Sequence, residues 1–437
     1  MNKIYFSVLA ALLLMVSCKP DITPNTPTKG SADFTKYVAL GNSLTAGYSD
    51  NTLYRSGQEN SYPSMLARAF AAVGGGPFRQ PLLPGNYGWP DPKLILAVRA
   101  GCDGVAGVTP VRNNAIPDTA GSSMNIAAQG PYNNLAVPGI RCIHYNIPGY
   151  GMLNPYAGRF YPDPAATSPM ALALGSGATF FTCWLGANDV LAYATSGGEG
   201  KVSGTGLYDI SPAEGFQATY DALINGMTAN GAKGVLINIP DVTTVPFFTT
   251  IPAKGLALTR QGQADSLNAA YAALGIKFNV GANYFIIQDV TAPAGLRQIK
   301  SGEYLLLTLP QDSIKCKGWG SIKPIPKQYV LDATEVANIR TATTTFNKII
   351  SDNAQAHGLA LMDAFSYLTT LQSGITYNGV TYTPTFVTGG AFSLDGVHLT
   401  QRGYALVANE IIRVINATYG ATIGGVDVNH YEGVRLP

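Results

Sequence analysis

Near the carboxyl end of the chain, Phe392-Ser393-Leu394-Asp395-Gly396-Val397-His398-Leu399-Thr400 sets a carboxylate three residues before a histidine, with a glycine between them. One turn of chain is enough to fold Asp395 back onto one ring nitrogen of His398, which fixes the ring and leaves the other nitrogen free to take and return a proton. Such a base needs a weak acid to act on. At the other end, Tyr37-Val38-Ala39-Leu40-Gly41-Asn42-Ser43-Leu44-Thr45-Ala46-Gly47 runs as an apolar, β-prone stretch that stops at a glycine, presents a serine and turns toward a helix. A strand ending in this way delivers Ser43 to the carboxyl edge of a parallel sheet, and a helix starting there leaves N–H groups facing any anion formed beside the hydroxyl. Alone, Ser43 also reads as an N-cap or turn residue. The chain order serine, aspartate, histidine is one of several that hydrolytic triads use. The other histidines, His144, His357 and His430, have no motif around them.

Acyl transfer also needs donors where the oxyanion develops, each worth roughly 3 to 4 kcal/mol. Gly139 closes the short strand-like stretch from Tyr132 and offers a backbone N–H, and Asn188 closes the apolar run Ala178 to Leu185 within Gly186-Ala187-Asn188-Asp189 and offers a side-chain amide. The N–H of Ser43 is a third candidate. Singly, each is an ordinary turn residue; with the Asp395–His398 stretch they make four strand ends with compatible groups. No His/Cys/Asp/Glu cluster has metal-ligand spacing, so neither a metal nor another cofactor is expected.

Strands and helices must alternate to bring these groups together. Buried strands are expected at Tyr37 to Gly41, Ala178 to Leu185, Gly234 to Pro240 and Leu359 to Asp363, with a short one at Tyr132 to Gly139. Helices are expected at Tyr62 to Val73, from the capping box Ser211-Pro212-Ala213-Glu214 to about Met227, from Asp332-Ala333-Thr334-Glu335 to about Ala356, and after Thr400. That alternation argues for parallel pairing and right-handed crossovers. The stretch 76–130 is loop-rich with one apolar patch at Lys93 to Val98, 140–175 is crowded with Tyr, Pro and Gly, and 241–331 reads as an insertion decorating the sheet.

The 437 residues carry 28 basic against 26 acidic side chains without a basic cluster, which argues against nucleic acid. Charged residues are 12%, while Gly (49), Pro (28) and Tyr (24) are plentiful, favouring ordered, turn-rich loops. Met1-Asn2-Lys3, the apolar Ile4 to Val16 and Ser17-Cys18 resemble a bacterial lipoprotein signal: residues 1–17 removed, Cys18 lipidated, 18–32 a Pro/Thr-rich tether to the membrane. An ordinary secretory signal is the alternative. Either implies export to the cell envelope, where Cys102, Cys142, Cys183 and Cys316 allow three complete pairings. Cys102–Cys142 is the preferred pair because both lie in Gly- and Pro-rich loops, and Cys183, inside an apolar run, reads as a buried thiol.

Taken together, Gly41-Asn42-Ser43-Leu44, Asn134-Leu135-Ala136-Val137-Pro138-Gly139, Gly186-Ala187-Asn188-Asp189 and Asp395-Gly396-Val397-His398 resemble, in order, the four blocks of the SGNH hydrolases, also called GDSL esterases and lipases. The resemblance implies a three-layer α/β/α domain over 33–420 with a central, mainly parallel, five-stranded flavodoxin-like sheet, insertions near 76–130, 140–175 and 241–331, and a C-terminal extension at 421–437. It also implies Ser43 as nucleophile, His398 as base, Asp395 as its orienter, and Ser43, Gly139 and Asn188 as the oxyanion hole. Asn42 stands where the family's name motif has aspartate, a position outside the triad. The resulting expectation is a short-acyl esterase acting on acylated carbohydrate, with Tyr132, Tyr145, Tyr150, Tyr156 and Tyr161 available either to stack on sugar rings or to pack the core. The alternatives are a lipase or lysophospholipase, a thioesterase or peptidase on the same triad, and an inactive glycan-binding lipoprotein. The last requires Ser43, Asn188 or His398 to be missing, and all three are present.

Overall fold

The computed structural model describes residues 26–114 and 120–437; the signal segment, Cys18 and most of the tether lie outside them. A parallel sheet of four strands forms the centre: β1 (Tyr37–Gly41), β2 (Phe180–Trp184), β3 (Lys233–Ile237) and β4 (Ala360–Met362), hydrogen-bonded in that order. Every residue of β1 and β2 is buried, as sheets covered on both faces require. The sheet has four strands where five are expected. Residues 133–137 run alongside the outer edge of β1, Ala39 N–H donating to Asn133 O (2.8 Å), Leu135 N–H to Ala39 O (2.9 Å) and Val137 N–H to Gly41 O (3.1 Å). Only the Ala39–Asn134 bridge forms there. Pro138 has no N–H to extend the ladder, and Asn134 turns its side chain on its own segment, accepting from Ala136 N (3.2 Å). The segment still occupies the outer position beside β1, the order of a flavodoxin-like winding whose switch point falls between β1 and β2.

Helices cover both faces. On one side α3 (Ala213–Thr228) and α4 (Ala333–Ala356) pack together, with α2 (Asn188–Thr195) against α4; on the other lies α5 (Gln401–Tyr419), packed on β3, β4 and the Tyr62–Ala71 helix. The expected cap at Asp332 forms in full, its carboxylate accepting from Thr334 N (2.9 Å) and Glu335 N (3.0 Å) while Glu335 accepts from Asp332 N (2.8 Å). Thr400 caps α5 by accepting from Gly403 N (3.1 Å). The box expected at Ser211 does not form: Pro212 is the N-cap, without a side-chain bond, because Ser211 is drawn inward, its N–H donating to Asp189 O (3.0 Å).

Two further expectations are corrected. Cys102 is bonded to Cys316, not Cys142, across a sequence separation of 214. Cys142 is a buried thiol, as is Cys183. Cys102 lies in the turn of a hairpin (Leu94–Ala100 with Ala106–Arg112) that the loop-rich stretch conceals, and the disulfide fastens that turn to the Gln311–Cys316 helix of the 241–331 insertion. Four of the five tyrosines are not available to a glycan. Tyr132, Tyr145, Tyr150 and Tyr161 are buried, leaving Tyr156 partly exposed, because the 140–175 stretch folds into short helical turns that use these rings as their core.

Candidate active site

β1 ends at Gly41, where an added Cβ would come within 2.0 Å of Thr45 Oγ1. Only glycine lets the chain turn straight into the short helix α1 (Ser43–Ala46), capped by Asn42, whose side chain accepts from Leu44 N (3.0 Å). Asn42 thus caps the helix that begins at Ser43. The turn leaves Ser43 at the carboxyl edge of the sheet, 7% exposed. Its Oγ lies 2.8 Å from His398 Nε2, and His398 Nδ1 lies 2.8 Å from Asp395 Oδ2. The three residues read from the sequence therefore meet in one hydrogen-bonded chain across 355 positions.

Asp395 is saturated with donors. Oδ1 accepts from Val397 N (2.9 Å), His398 N (2.8 Å) and Ser393 Oγ (3.2 Å), and Oδ2 from Asn51 N (2.9 Å) besides the ring. Burial by itself would raise this carboxyl, but the adjacent imidazole and the donated hydrogen bonds overcome it and hold the group well below the usual carboxylate range. A permanent anion at Nδ1 fixes the tautomer that leaves Nε2 free to accept from Ser43.

The oxyanion candidates are gathered at neighbouring positions. Asn188, first residue of α2, donates through Nδ2 to Ile140 O (2.9 Å), which ties it to the segment beginning at Gly139. An amide nitrogen carries two hydrogens, so one remains for a substrate oxygen. The same segment is held by Asn154 Nδ2 donating to Pro138 O (2.9 Å) and by Cys142 N–H donating to Asp189 Oδ2 (2.8 Å). Asp189 is fully buried, which pushes its carboxyl up to about 6 despite the opposing bond from Cys142.

Several contributors escape a reading by motif. Tyr48 lays its ring 4.6 Å from that of His398 and is fixed by Tyr404 OH donating to Tyr48 O (2.6 Å). The turn Ser49-Asp50-Asn51 clasps the triad loop: Ser49 Oγ donates to Leu399 O (3.0 Å), Asp50 N to Ser393 Oγ (3.0 Å) and Asn51 N to Asp395, while Asp50 Oδ1 accepts from Leu394 N (3.2 Å). Asp50 and Asn51 both have positive φ (52° and 63°), a conformation that Asp and Asn tolerate best among non-glycine residues. The Asp-Asn pair following Tyr48-Ser49 is the sole sequence signal for that turn. On the far side, Gly396 (φ 72°) has Leu307 and Phe247 so close that a Cβ would meet them at 2.8 and 3.0 Å. Phe247 N–H donates to Gly396 O (2.9 Å).

A doubly wound parallel sheet that presents a serine, a histidine and a buried aspartate in one hydrogen-bonded chain has the layout for acyl transfer through a serine. The family model described as GDSL-like Lipase/Acylhydrolase matches residues 37–411, and the chain belongs to that family. Among solved structures, a GDSL-like lipase from Parabacteroides merdae is 12% identical with a TM-score of 0.35, covering 90% of this chain and 99% of that one. The lipase/acylhydrolase from Enterococcus faecalis is 13% identical (TM-score 0.33; 90% and 100% covered), and the extracellular lipase from Streptomyces rimosus is 13% identical (TM-score 0.34; 88% and 99%). No curated protein matches by sequence.

Proposed function

We propose that this chain is a short-acyl ester hydrolase acting on acylated carbohydrate through an acyl-enzyme on Ser43. The observation that carries the reading is the pair of 2.8 Å hydrogen bonds linking Ser43, His398 and Asp395. Ser43 Oγ attacks the ester carbonyl as His398 Nε2 takes its proton; Asp395 stabilises the imidazolium; the oxyanion is met by the N–H groups of Ser43 and Gly139 and the free amide hydrogen of Asn188. Collapse expels the alcohol, which receives the proton from His398, and water repeats the sequence to release the acid.

A short acyl group is our reading of an apolar cavity lined by the chain neighbours of Ser43 and His398, not by those two residues themselves. An apolar cavity of about 60 Å³ is lined by Leu44 and Val397, neighbours of the nucleophile and the base, and continues between Trp184, Met362, Leu371 and Leu406. At roughly 10–15 Å³ for each water-sized probe, that volume suits about four to six heavy atoms, a short acyl tail. A lipase or lysophospholipase would need room for a much longer chain. On the alcohol side, the partly exposed rings of Tyr48 and Tyr156 stand edge-to-face beside His398 with centroids 6.5 Å apart, backed by the buried Trp89, and suit the C–H face of a sugar.

The test is an acyl-length series of p-nitrophenyl esters followed by acetylated oligosaccharides, with Ser43→Ala as the blank. Turnover should peak at two to about six carbons and vanish in Ser43→Ala. Full turnover by that variant overturns the mechanism, and a preference for long acyl chains overturns the substrate assignment. Export with a lipid anchor on Cys18 is part of the same proposal, supported by the signal-like start and by the Cys102–Cys316 disulfide, a bond at home in oxidising compartments. Cys18→Ala should move the protein out of the membrane fraction; unchanged fractionation refutes the anchor.

A further inference from the structure

The 241–331 insertion carries a feature that ester hydrolysis at Ser43 does not use. A groove of about 1170 Å³ runs between its Gln261–Ala270 helix and the 314–323 loop, bordered by Arg260, Lys315, Lys317 and Lys323, with no Asp or Glu in its lining. All four cations are exposed, and none forms an ion pair among the described residues. The acids nearest in sequence are occupied: Asp265 accepts from Gln261 Nε2 (2.8 Å), and Asp312 from Cys102 N (3.4 Å). The rim is preformed. Tyr271 OH donates to Ser321 O (2.6 Å), Lys323 N to Gly318 O (3.0 Å), Gly320 N to Lys323 O (2.7 Å), and Cys316 is covalently fastened to the hairpin turn. Four unpaired positive charges around a concavity concentrate an anionic ligand there.

We propose that this groove binds the anionic chain of a carboxylate- or sulfate-bearing polysaccharide, holding the polymer while one of its ester groups is presented to Ser43. The choice of polymer rests on the carbohydrate-ester reading above. Contact between the insertion and the catalytic loop favours a polysaccharide substrate over an anionic membrane. The insertion abuts the catalytic loop through Phe247 and Leu307 at Gly396, the end of the molecule where α5 begins. The segment leading from the N-terminus joins the opposite end of α5, with Ser31 N donating to Tyr419 O (2.8 Å) and Thr28 N to Thr422 Oγ1 (2.9 Å). A helix of 19 residues separates the two ends by about 28 Å at 1.5 Å per residue, so the part of the insertion that touches the catalytic loop and the segment leading from the N-terminus lie at opposite ends of α5.

The experiment is affinity electrophoresis of the full mature Ser43→Ala protein, which binds without consuming esters, in gels containing polygalacturonate, dextran sulfate or neutral dextran. Retardation is expected in one or both polyanions, which separates carboxylate from sulfate recognition, and not in dextran. It should disappear near 1 M salt, where the screening length falls to about 3 Å. The combined Lys315→Gln/Lys317→Gln/Lys323→Gln change should weaken it at least about ten-fold, and Arg260→Gln, on the opposite wall, should weaken it independently. Undiminished retardation of both variants overturns the proposal, as does migration unaffected by either polyanion, or binding to phosphatidylglycerol vesicles without binding to polyanions. Failure of the carbohydrate-ester reading looks different: the unmodified protein then frees no acid from any acetylated glycan while retardation persists.

Discussion

Replacing Asp395 by asparagine changes one atom in a position where five donors converge on two oxygens. Oδ1 takes Val397 N, His398 N and Ser393 Oγ; Oδ2 takes His398 Nδ1 and Asn51 N. An amide nitrogen on the Oδ1 side would face two backbone N–H groups that have no alternative acceptor. On the Oδ2 side it faces only one, Asn51 N, and can donate to Nδ1 if the ring changes tautomer. An unsatisfied buried donor costs about 1–3 kcal/mol, so the second orientation is preferred by about one such penalty. The ring then carries its proton on Nε2, pointing at Ser43 Oγ, and can no longer accept from it. Asp395→Asn should therefore stay folded while kcat on p-nitrophenyl acetate falls about 10³–10⁴-fold, the scale at which a triad loses its correct tautomer. The carboxyl also links stability to pH: because its native value lies below the unfolded one, its stabilisation is full above about pH 4 and is lost as pH falls further, toward the native value. The asparagine variant should lack that acid-side slope in urea unfolding. Turnover within ten-fold of the parent, or an unchanged acid-side slope, would refute the argument.

Asn188→Ala removes the amide hydrogen left free beside its bond to Ile140 and should lower kcat by about 10²–10³-fold with little change in KM; a steady-state comparison on one short-chain ester decides it, and a loss confined to KM would assign Asn188 to substrate binding instead. Asp189, whose carboxyl is pushed from 3.8 to about 6 by burial, keeps its proton in the folded chain after the unfolded chain has released it. Stability from this group therefore declines as pH rises from about 4 to 6, by about 3 kcal/mol, and is level above. Asp189→Asn retains an acceptor for Cys142 N and should flatten that decline; equal pH slopes for parent and variant in urea unfolding would count against the buried, raised carboxyl.

Local chemistry was legible and remote contact was not. The Asp395–His398 pair is readable because three residues of chain set its geometry, and the Asp332 cap because Asp332 and Glu335 satisfy each other within one turn. The same cap pattern at Ser211 failed once Asp189, in another part of the chain, claimed the backbone of Ser211. Cysteine pairing failed for a like reason. The loop composition shared by Cys102 and Cys142 says nothing of which turn the insertion will touch, and the partner, Cys316, lies 214 positions away. The tyrosines show the limit of composition. Burial decides between stacking on a ligand and packing a core, and four of the five are in the core.

The contacts hidden from sequence are those that hold the triad loop still. The Ser49–Asn51 turn grips residues 393–399 from one side across more than 340 positions, Phe247 and Leu307 from the insertion close on Gly396 from another, and Thr400 anchors the far end at α5. A histidine that must accept a proton at Nε2 and return it moments later gains from a ring that does not swing between the two steps, since misplacement by about 1 Å can forfeit a hundred-fold in rate. Two successive non-glycine residues at positive φ are an unfavourable arrangement for a turn that merely joins elements. At Asp50 and Asn51 that conformation places successive N–H groups on Ser393 and Asp395, so the strain is offset by hydrogen bonds to the residues that position His398. On the proposed mechanism the functional unit extends beyond Ser43, His398 and Asp395 to the turn at 49–51 and to the insertion that closes on Gly396, so four motifs locate the hydrogen-bonded chain but not what steadies it.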